Sequence, residues 1–386
     1  MSTDIVAECL RLRRWAFSLC TRAVTAHDAI NAMPNVSLDA WAFFLAAETC
    51  PRSLSARLGA AASALPTGAR DVLQRAALAE LQRVMAARAQ LVVIDSLAER
   101  LGVEPVVLKG GVHAGDGGEA FDLGDLDVLL PHAEVAAFGR ALVEQAGYVL
   151  EPQFGQFKLT GSLTVEVHDG LEVGYGVDVV GGMESQPLRG FRRLRRLSPA
   201  AHVAYCIQHT TTKHPLRRGH LRDLLLVADA LDDCSPSELD AVERALNSAA
   251  SHELYAATFA VAHAMTMHGP TSARASDPFM RIAAGKYAMA LWFPKGSPAS
   301  FPLLLDHIPH FFASPGDAWR LISGYLRTGV EEASRWNFSF ASRLSPRFAV
   351  VLGAAVRTPY RLVALGYAGA VGMRIRMNYV VRWRGM

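Results

Sequence analysis

The centre of the chain, residues 106–130, reads VVLKGGVHAGDGGEAFDLGDLDVLL and contains the two apolar runs that decide the fold. The first run, 106–108, is followed by a lysine and two glycines. The second run, 126–130, has an aspartate on either side of its first leucine. Short apolar runs rich in β-branched residues and bounded by turn residues are typical of strands. The stretch therefore predicts a strand, a glycine-rich turn and a second strand.

Three more short strands are predicted downstream, at 148–150, 154–160 and 163–168, because turn residues separate short apolar or alternating runs there. Helical patterns surround this centre. One helix is predicted over 72–101, where apolar residues recur at helical spacing and Gly102 follows as a left-handed cap. A second helix is predicted over 133–146, ending before Gly147, and Ser198 followed by Pro199 begins another helical region. The fold class predicted is α+β, with a small mixed β-sheet embedded in a mostly helical protein.

The same pattern divides the chain into four predicted regions. They are an N-terminal helical region (1–101), an α/β core (102–185), a helical region completing the active-site cleft (186–270) and a C-terminal helical region with a basic end (271–386).

Composition excludes several classes of protein. Apolar residues make up 51% of the 386 residues and charged residues 19%, which argues against a disordered or fibrous chain. A net charge of +3 gives no global field for coating nucleic acid. The five cysteines are scattered and form no C-x-x-C pair, which argues against a disulfide scaffold or zinc ribbon. We see no secretory signal and expect a cytoplasmic protein.

Asp125 and Asp127 form the most informative motif. Side chains two residues apart on a strand share a face, so both carboxylates are expected on one side and Leu126 on the core side. Two such charges repel each other unless a cation lies between them, and hard divalent cations such as Mg²⁺ suit oxygen ligands. The repulsion predicts that Asp127→Asn leaves the empty protein equally stable or more stable. A D-x-D motif alone is weak evidence for a metal site, since acids also occur on exposed strand faces for solubility.

Glu166 is the best candidate for a third acid. In 163–168, LTVEVH, apolar residues alternate with Thr164, Glu166 and His168, which share the opposite face. We expect the Glu166 carboxylate within about 8 Å of both aspartates, a separation that two metal ions could bridge. Asp169 and Asp178 are the alternatives. Gly170 favours a turn at Asp169, and Gly174 and Gly176 interrupt any continuous strand that would carry Asp178 to the same place. His168 is interpreted as a structural histidine.

Taken together, these motifs resemble the nucleotidyltransferase superfamily related to DNA polymerase β. More narrowly, 106–110, 124–130 and 165–168 resemble a bacterial family of uncharacterised nucleotidyltransferases, whose members show LLKG, then GDIDLLV, then an acid-x-His strand. A later helix with the sequence L-R-D-L at 221–224 is similar to the L-x-D-L of that family. The resemblance covers roughly residues 40–235. Relatives often carry an arginine three residues before the first aspartate, where this chain has Asp122, so the basic group beside the phosphates is missing or comes from elsewhere.

The resemblance implies two-metal transfer of a nucleoside monophosphate from an NTP to an acceptor, with release of pyrophosphate. Asp125, Asp127 and Glu166 would be the catalytic residues and the ligands of Mg²⁺ or Mn²⁺. The residues implied to bind the nucleotide are Lys109, Gly110, Gly111, His209 and His214. For Lys109 the alternative is a solvated lysine at a strand end, and for His209, His214 and His220 it is a plain surface patch.

The acceptor is open, and a small molecule or peptide is favoured over nucleic acid because no RNA-binding domain is recognisable. Five arginines between 189 and 196 are interpreted as a basic linker, with binding of an anionic acceptor as the alternative. Nine arginines and no acidic residue follow Glu332. This basic C-terminal segment suits docking on an acidic face of the protein or on an anionic membrane surface. The alternative functions are a non-catalytic nucleotide- or peptide-binding module and a membrane-surface accessory protein.

Overall fold

The computed structural model describes residues 4–21, 24–117, 121–151, 156–159, 162–168, 184–210, 220–247 and 252–266. His214, Asp169, Asp178 and the predicted C-terminal region 271–386 lie outside these residues. Among the described helices, none combines the length and the apolar character that crossing a bilayer requires.

Helices make up most of the described chain. They are α1 (Asp4–Cys20), α2 (Ala26–Asn31), α3 (Leu38–Glu48), α4 (Pro51–Leu58), a 3₁₀ helix (Gly59–Ala64), α5 (Thr67–Leu101), α6 (Gly110–Asp116), α7 (His132–Ala146), α8 (Pro199–Gln208), α9 (Leu221–Asp232), α10 (Pro236–Asn247) and α11 (His252–Met265). The predicted ends at Gly102 and Gly147 are confirmed, because both glycines adopt positive φ and end α5 and α7. Pro199 is the first residue of α8, where its missing N–H costs no hydrogen bond.

A seven-stranded mixed sheet forms the centre, which confirms the predicted α+β class. Its strands are β1 (Val106–Leu108), β2 (Leu126–Leu129), β3 (Val149–Glu151), β4 (Gln156–Lys158), β5 (Val165–His168), β6 (Ser185–Pro187) and β7 (Arg195–Leu197). Their order is β3-β4-β5-β2-β1-β7-β6. The central strand β2 runs antiparallel to β1 and parallel to β5.

Strands β6 and β7 correct the interpretation of the arginine-rich stretch as a linker. β7 pairs in parallel with β1 and antiparallel with β6, so the stretch extends the sheet. The turn before β7 is fixed by Asp95 of α5, whose carboxylate accepts hydrogen bonds from the backbone N–H groups of Arg192, Arg193 and Leu194. The strand escaped prediction because it is three residues long and has no apolar alternation.

Helices cover both faces of the sheet. One face, with Val107, Leu126 and Val165, packs against α5, α6 and α7. The opposite face, with Leu108 and Leu197, packs against α8, α9 and α10. A third cluster joins the N-terminal helices to α9 and α11, so the first and third predicted regions share a core. The acids predicted for the site lie on the α8–α9 face.

Candidate active site

Asp127 lies at the centre of the site. In the strand register it is opposite Leu108 on β1 and Glu166 on β5, so three adjacent strands meet at this residue. Its neighbours in sequence, Leu126 and Val128, point to the other face and are fully buried there. The predicted alternation is therefore confirmed, and it places a carboxylate that is 1% exposed beneath the α8–α9 layer.

Two cationic or potentially cationic groups compensate the Asp127 carboxylate. Nζ of Lys109 lies 2.8 Å from Oδ2, and Nε2 of His168 lies 2.8 Å from Oδ1. Burial opposes ionisation, but the charge of Lys109 and the contact with His168 outweigh it, so the pKa of Asp127 is well below its usual range. Burial lowers the pKa of Lys109, but the charges of Asp127, Tyr205 and Asp125 and the hydrogen bond to Asp127 together raise it by more, so the lysine remains charged.

Glu166 lies beside this ion pair, which confirms its predicted proximity to Asp127. Ligand atoms of Asp127, Glu166 and His168 are all within 4.8 Å of one another, and Oε2 of Glu166 is 3.9 Å from Nε2 of His168. Burial first, and then the charges of Asp127 and Asp125, raise the pKa of Glu166. The position next to Glu166 therefore has an excess of negative charge that a cation would relieve.

His168 is a site residue that the sequence interpretation treated as structural. It shares a strand face with Glu166, two residues earlier, and the register of β2 and β5 brings it against Asp127. The Glu-x-His alternation was the signal available in the sequence. It became informative only when β5 was known to pair with the strand that bears Asp127.

A cavity of about 290 Å³ opens above the acids. It is lined by Lys109, Gly110, Asp122, Leu123, Gly124, Asp125, Glu166, Cys206, His209, Thr210, Arg222, Asp223 and Leu226. The volume is at the lower end of the roughly 300–1,000 Å³ found for small-molecule sites. Asp125, directly before β2, is half-buried at this cavity, and His209 reaches it from the end of α8.

Arg222 at the start of α9 supplies a cation to this cavity. Its Nε lies 3.1 Å from Oδ1 of Asp223, and a Cβ at Gly124 would lie 2.7 Å from its Nη1. The negative charges of Asp223 and Asp125 outweigh burial and raise the pKa of Arg222. No local pattern singles out this arginine, because it lies 98 positions after Gly124 in the chain. Relatives often carry an arginine at the position of Asp122, and in this chain Arg222 brings a basic group to the cavity from α9 instead.

Asp122 has a structural partner on α4. Its carboxylate accepts hydrogen bonds from the backbone N–H groups of Arg52 and Ser53, both at 3.0 Å, and from the Ser53 hydroxyl at 2.6 Å. These N–H groups belong to the first turn of the helix, which a carboxylate stabilises. Nearby, Glu80 of α5 accepts a hydrogen bond from the N–H of Leu123. Both helices thus hold the loop that leads into the D-x-D motif.

The two predicted glycines occupy different surroundings. Gly110 lines the cavity, whereas Gly111 lies against the sheet, where an added Cβ would be 2.7 Å from Cγ1 of Val107. At Gly110 the corresponding distance to Cδ1 of Leu123 is 2.7 Å. An added side chain at Gly111 would therefore displace Val107 of the sheet, and one at Gly110 would displace Leu123 of the loop before β2.

The remaining predicted groups are partly accounted for. His220 is buried at the start of α9, where Nε2 contacts the Ala47 carbonyl oxygen at 2.9 Å, so it is not part of a surface patch. Four of the five arginines of the basic stretch have acidic partners within the chain: Arg192 pairs with Glu99, Arg193 and Arg195 with Glu104, and Arg196 with Asp116.

A second groove, of about 430 Å³, adjoins the cavity. Its lining comes from one face of α5 and from the segment before β5: Ala79, Gln82, Arg83, Ala86, Gly124, Ser162, Leu163 and Thr164. Gly124, next to Asp125, is the lining residue that the groove and the cavity share.

The donor set fits a hard divalent cation. Asp125, Asp127 and Glu166 provide carboxylate oxygens, the ligand type that Mg²⁺ and Mn²⁺ prefer, and His168 adds an imidazole nitrogen. Burial and the charges of Asp127 and Asp125 disfavour the ionised form of Glu166, and a bound cation would offset both effects.

Comparison with known proteins agrees with this geometry. No curated protein and no solved structure matches the chain. A family model described as uncharacterised nucleotidyltransferase matches residues 52–266, which run from the second residue of α4 to the end of α11 and include every site residue discussed above. Because that match covers more than half of the chain, the protein belongs to this family of nucleotidyltransferases.

Proposed function

We propose that the protein transfers a nucleoside monophosphate from an NTP to the hydroxyl group of a small molecule or peptide. The observation that carries the proposal is the convergence of Asp125 and Glu166 on a cavity that also presents Lys109 and Arg222. Asp127 contacts Lys109 there, and its carboxylate is within 4.8 Å of Glu166. Nucleotidyl transfer requires acids that bind a divalent cation, next to basic groups that bind phosphates.

The residues divide into two groups by charge. Asp125, Asp127 and Glu166 would hold one or two Mg²⁺ or Mn²⁺ ions, which neutralise the triphosphate and make the acceptor hydroxyl more acidic. Lys109 and Arg222 would bind phosphate oxygens, and the planar fork of the arginine suits a bidentate contact. His209, at the same cavity, would contact the nucleotide.

The reaction follows from this arrangement. The acceptor oxygen forms a bond to the α-phosphorus, and the bond from that phosphorus to the bridging oxygen of the β-phosphate breaks. Pyrophosphate leaves with the electron pair of the broken bond. The proton of the acceptor hydroxyl passes to the carboxylate of Glu166, whose pKa is raised by burial and by the charges of Asp127 and Asp125.

The groove along α5 is where we place the acceptor. It meets the cavity at Gly124, so an acceptor there can present a hydroxyl to the α-phosphate. Arg83, Gln82, Ser162 and Thr164 offer hydrogen-bonding groups for a polar acceptor. The groove is more open than a buried pocket, since Ala79, Gln82 and Arg83 are all exposed.

The direct test uses the four NTPs, each labelled at the α-phosphate, with Mg²⁺ and a cell extract. We expect label to move into a new compound in step with pyrophosphate release, and to stop moving when EDTA is added or Glu166 is changed to Gln. Absence of any transfer from all four NTPs, with the wild-type protein folded, would contradict the proposal.

A further inference from the structure

Arg13 and Glu48 form an ion pair inside the N-terminal helices. Arg13 on α1 is 1% exposed and Glu48, the last residue of α3, is 0% exposed, and Nη1 of the arginine lies 2.5 Å from Oε1 of the glutamate. Both residues precede the stretch 52–266 that the family model matches. A buried ion pair contributes little net stability compared with apolar residues of similar volume, because both charges are taken out of water. The other contacts of Glu48 therefore offer a better explanation for the pair.

The second carboxylate oxygen of Glu48 reaches the helix that carries Arg222. Oε2 accepts a hydrogen bond of 2.8 Å from the backbone N–H of Leu221, the first residue of α9. The N–H groups of a first helical turn have no partner within the helix, and a carboxylate there also interacts favourably with the helix dipole. One carboxylate thus joins Arg13 to the start of α9.

A neighbouring contact holds the same point of α9. His220, the residue before Leu221, is 5% exposed, and its Nε2 lies 2.9 Å from the carbonyl oxygen of Ala47 on α3. Two consecutive residues at the C-terminal end of α3 therefore contact two consecutive residues at the start of α9. Arg222 follows directly in the chain, so the end of α3 fixes the backbone from which the Arg222 side chain extends to the cavity.

We propose that Glu48 is a positioning residue of the nucleotide site, which fixes the first turn of α9 so that Arg222 presents its guanidinium group to the cavity. Arg13 holds the Glu48 carboxylate in place for this contact. The inference rests on the proposed function, because it assigns Arg222 to the triphosphate. Glu48 is not among the residues that line the cavity, and it acts through the N–H of Leu221 and the backbone of α9.

The test replaces the buried pair while the core stays filled. Arg13→Met/Glu48→Met removes both charges and the hydrogen-bond acceptor, whereas Arg13→Met/Glu48→Gln keeps an amide oxygen for the N–H of Leu221. Methionine is close to glutamine in size and adapts to irregular core space. Because exchanging a buried ion pair for apolar residues often leaves a protein equally stable or more stable, we expect both double variants to fold, as thermal unfolding would show.

The probe is inorganic tripolyphosphate with Mg²⁺, measured by calorimetry, because it reports phosphate binding without dependence on the base. We expect Arg13→Met/Glu48→Met to bind about tenfold more weakly than wild type, since a displaced Arg222 loses its hydrogen bond to phosphate. We expect Arg13→Met/Glu48→Gln to stay within about threefold of wild type, since its amide oxygen still holds α9.

Arg222→Gln separates positioning from a general effect on the fold. If Glu48 acts through Arg222, the two effects are not additive, so adding Arg13→Met/Glu48→Met to Arg222→Gln lowers the affinity by less than about threefold. Trp15→Phe is the control within the same core. Trp15 is 5% exposed and donates a hydrogen bond of 2.7 Å to the carbonyl oxygen of Ala29, which joins α1 to α2 rather than to α9. We expect this variant to keep wild-type affinity for tripolyphosphate.

The outcomes separate the two proposals. Failure of the folded wild-type protein to bind tripolyphosphate would contradict the proposed function itself. If wild type binds, equal affinities for the Met and Gln double variants would overturn the inference about Glu48, and so would a further tenfold loss on top of Arg222→Gln. A tenfold loss on Trp15→Phe would also overturn it, because any weakening of the N-terminal core would then have the same effect. Failure of Arg13→Met/Glu48→Met to fold would make the pair a requirement of the fold and would likewise overturn the positioning role.

Discussion

The ammonium nitrogen of Lys109 lies 2.8 Å from Oδ2 of Asp127, in an ion pair largely withdrawn from water. The sequence shows Asp127 next to Asp125 and suggests that the two carboxylates repel each other. In the folded protein, Lys109 and His168 offset the charge of Asp127, whereas burial and the charges of Asp127 and Asp125 raise the pKa of Glu166. The two acids are therefore expected to respond in opposite ways when their charge is removed.

We expect Asp127→Asn to abolish transfer and also to destabilise the protein. The substitution leaves the buried ammonium of Lys109 without its partner, and removing one member of a buried pair costs about 3–5 kcal/mol. This reverses the expectation from the D-x-D spacing that stability would be unchanged or higher. Denaturant unfolding in the absence of metal measures the effect, and a variant as stable as wild type would show that the ion pair contributes nothing.

Glu166→Gln provides the contrast. The raised pKa shows that the folded protein disfavours the ionised form, so a neutral amide of the same size should leave the free energy of unfolding unchanged or increase it. Turnover should fall strongly while nucleotide affinity falls little, because a general base acts mainly in the transition state. The same unfolding assay and steady-state kinetics test both statements. A clear loss of stability would indicate that Glu166 serves a structural network.

Local sequence signals predicted the elements that carry the acids. Alternation in 163–168 and the apolar residues around Asp127 were sufficient to assign strand faces, and the register of β2 and β5 placed Glu166 next to Asp127 as expected. The helix ends at Gly102 and Gly147 also follow from local backbone geometry.

The groups that complete the cavity could not be predicted because they depend on tertiary contacts. Arg222 reaches Gly124 only because α9 packs across the sheet, and Asp122 finds its partners on α4, about 70 residues earlier in the chain. Strand β7 is recognisable only by its pairing with β1, since its sequence is Arg-Arg-Leu. Nothing in a local pattern distinguishes these residues from solvated charges.

Asp122 should make stability depend on pH. Burial raises its pKa to about 6, although the Ser53 and Arg52 donors oppose the shift. The folded protein therefore holds this proton more tightly than the unfolded chain, whose pKa is near 3.8. The contribution of Asp122 to stability is complete below pH 3.8, declines as the pH rises to about 6 and is constant above that.

The measurement is the difference in unfolding free energy between wild type and Asp122→Asn across pH 4 to 7.5. Asparagine does not titrate, so the difference isolates this carboxyl group. We expect wild type to lose stability relative to the variant as the pH rises from 4 to 6. A difference that changes in the opposite direction would show that the α4 hydrogen bonds outweigh burial.

Arg222→Gln should weaken NTP binding about tenfold to a hundredfold, because hydrogen bonds to charged groups contribute about 1.5–3 kcal/mol. Arg222→Lys keeps the charge but loses the bidentate fork, so an intermediate affinity is expected. Arg192→Gln is the control, since this exposed arginine pairs with Glu99 and does not line the cavity. Calorimetric titration with each NTP measures the affinities, and equal values for the two glutamine variants would remove Arg222 from the nucleotide site.

The groove along α5 can be tested separately from the nucleotide site by filling it. Ala79 lines the groove on the solvent-exposed face of α5, so Ala79→Trp adds bulk there without entering the core. Ala89→Trp is the matched control, because Ala89 is exposed on the same helix and does not line the groove. We expect Ala79→Trp to lose at least about tenfold in transfer to the acceptor, by steric exclusion, while its affinity for tripolyphosphate with Mg²⁺ matches that of wild type.

Labelled transfer to the low-molecular-mass fraction of a cell extract, and to its peptides, measures the rate of transfer, and calorimetry measures the affinity for tripolyphosphate. Equal transfer by the two tryptophan variants would place the acceptor elsewhere, and parallel loss of tripolyphosphate affinity would show that the groove and the cavity are one site.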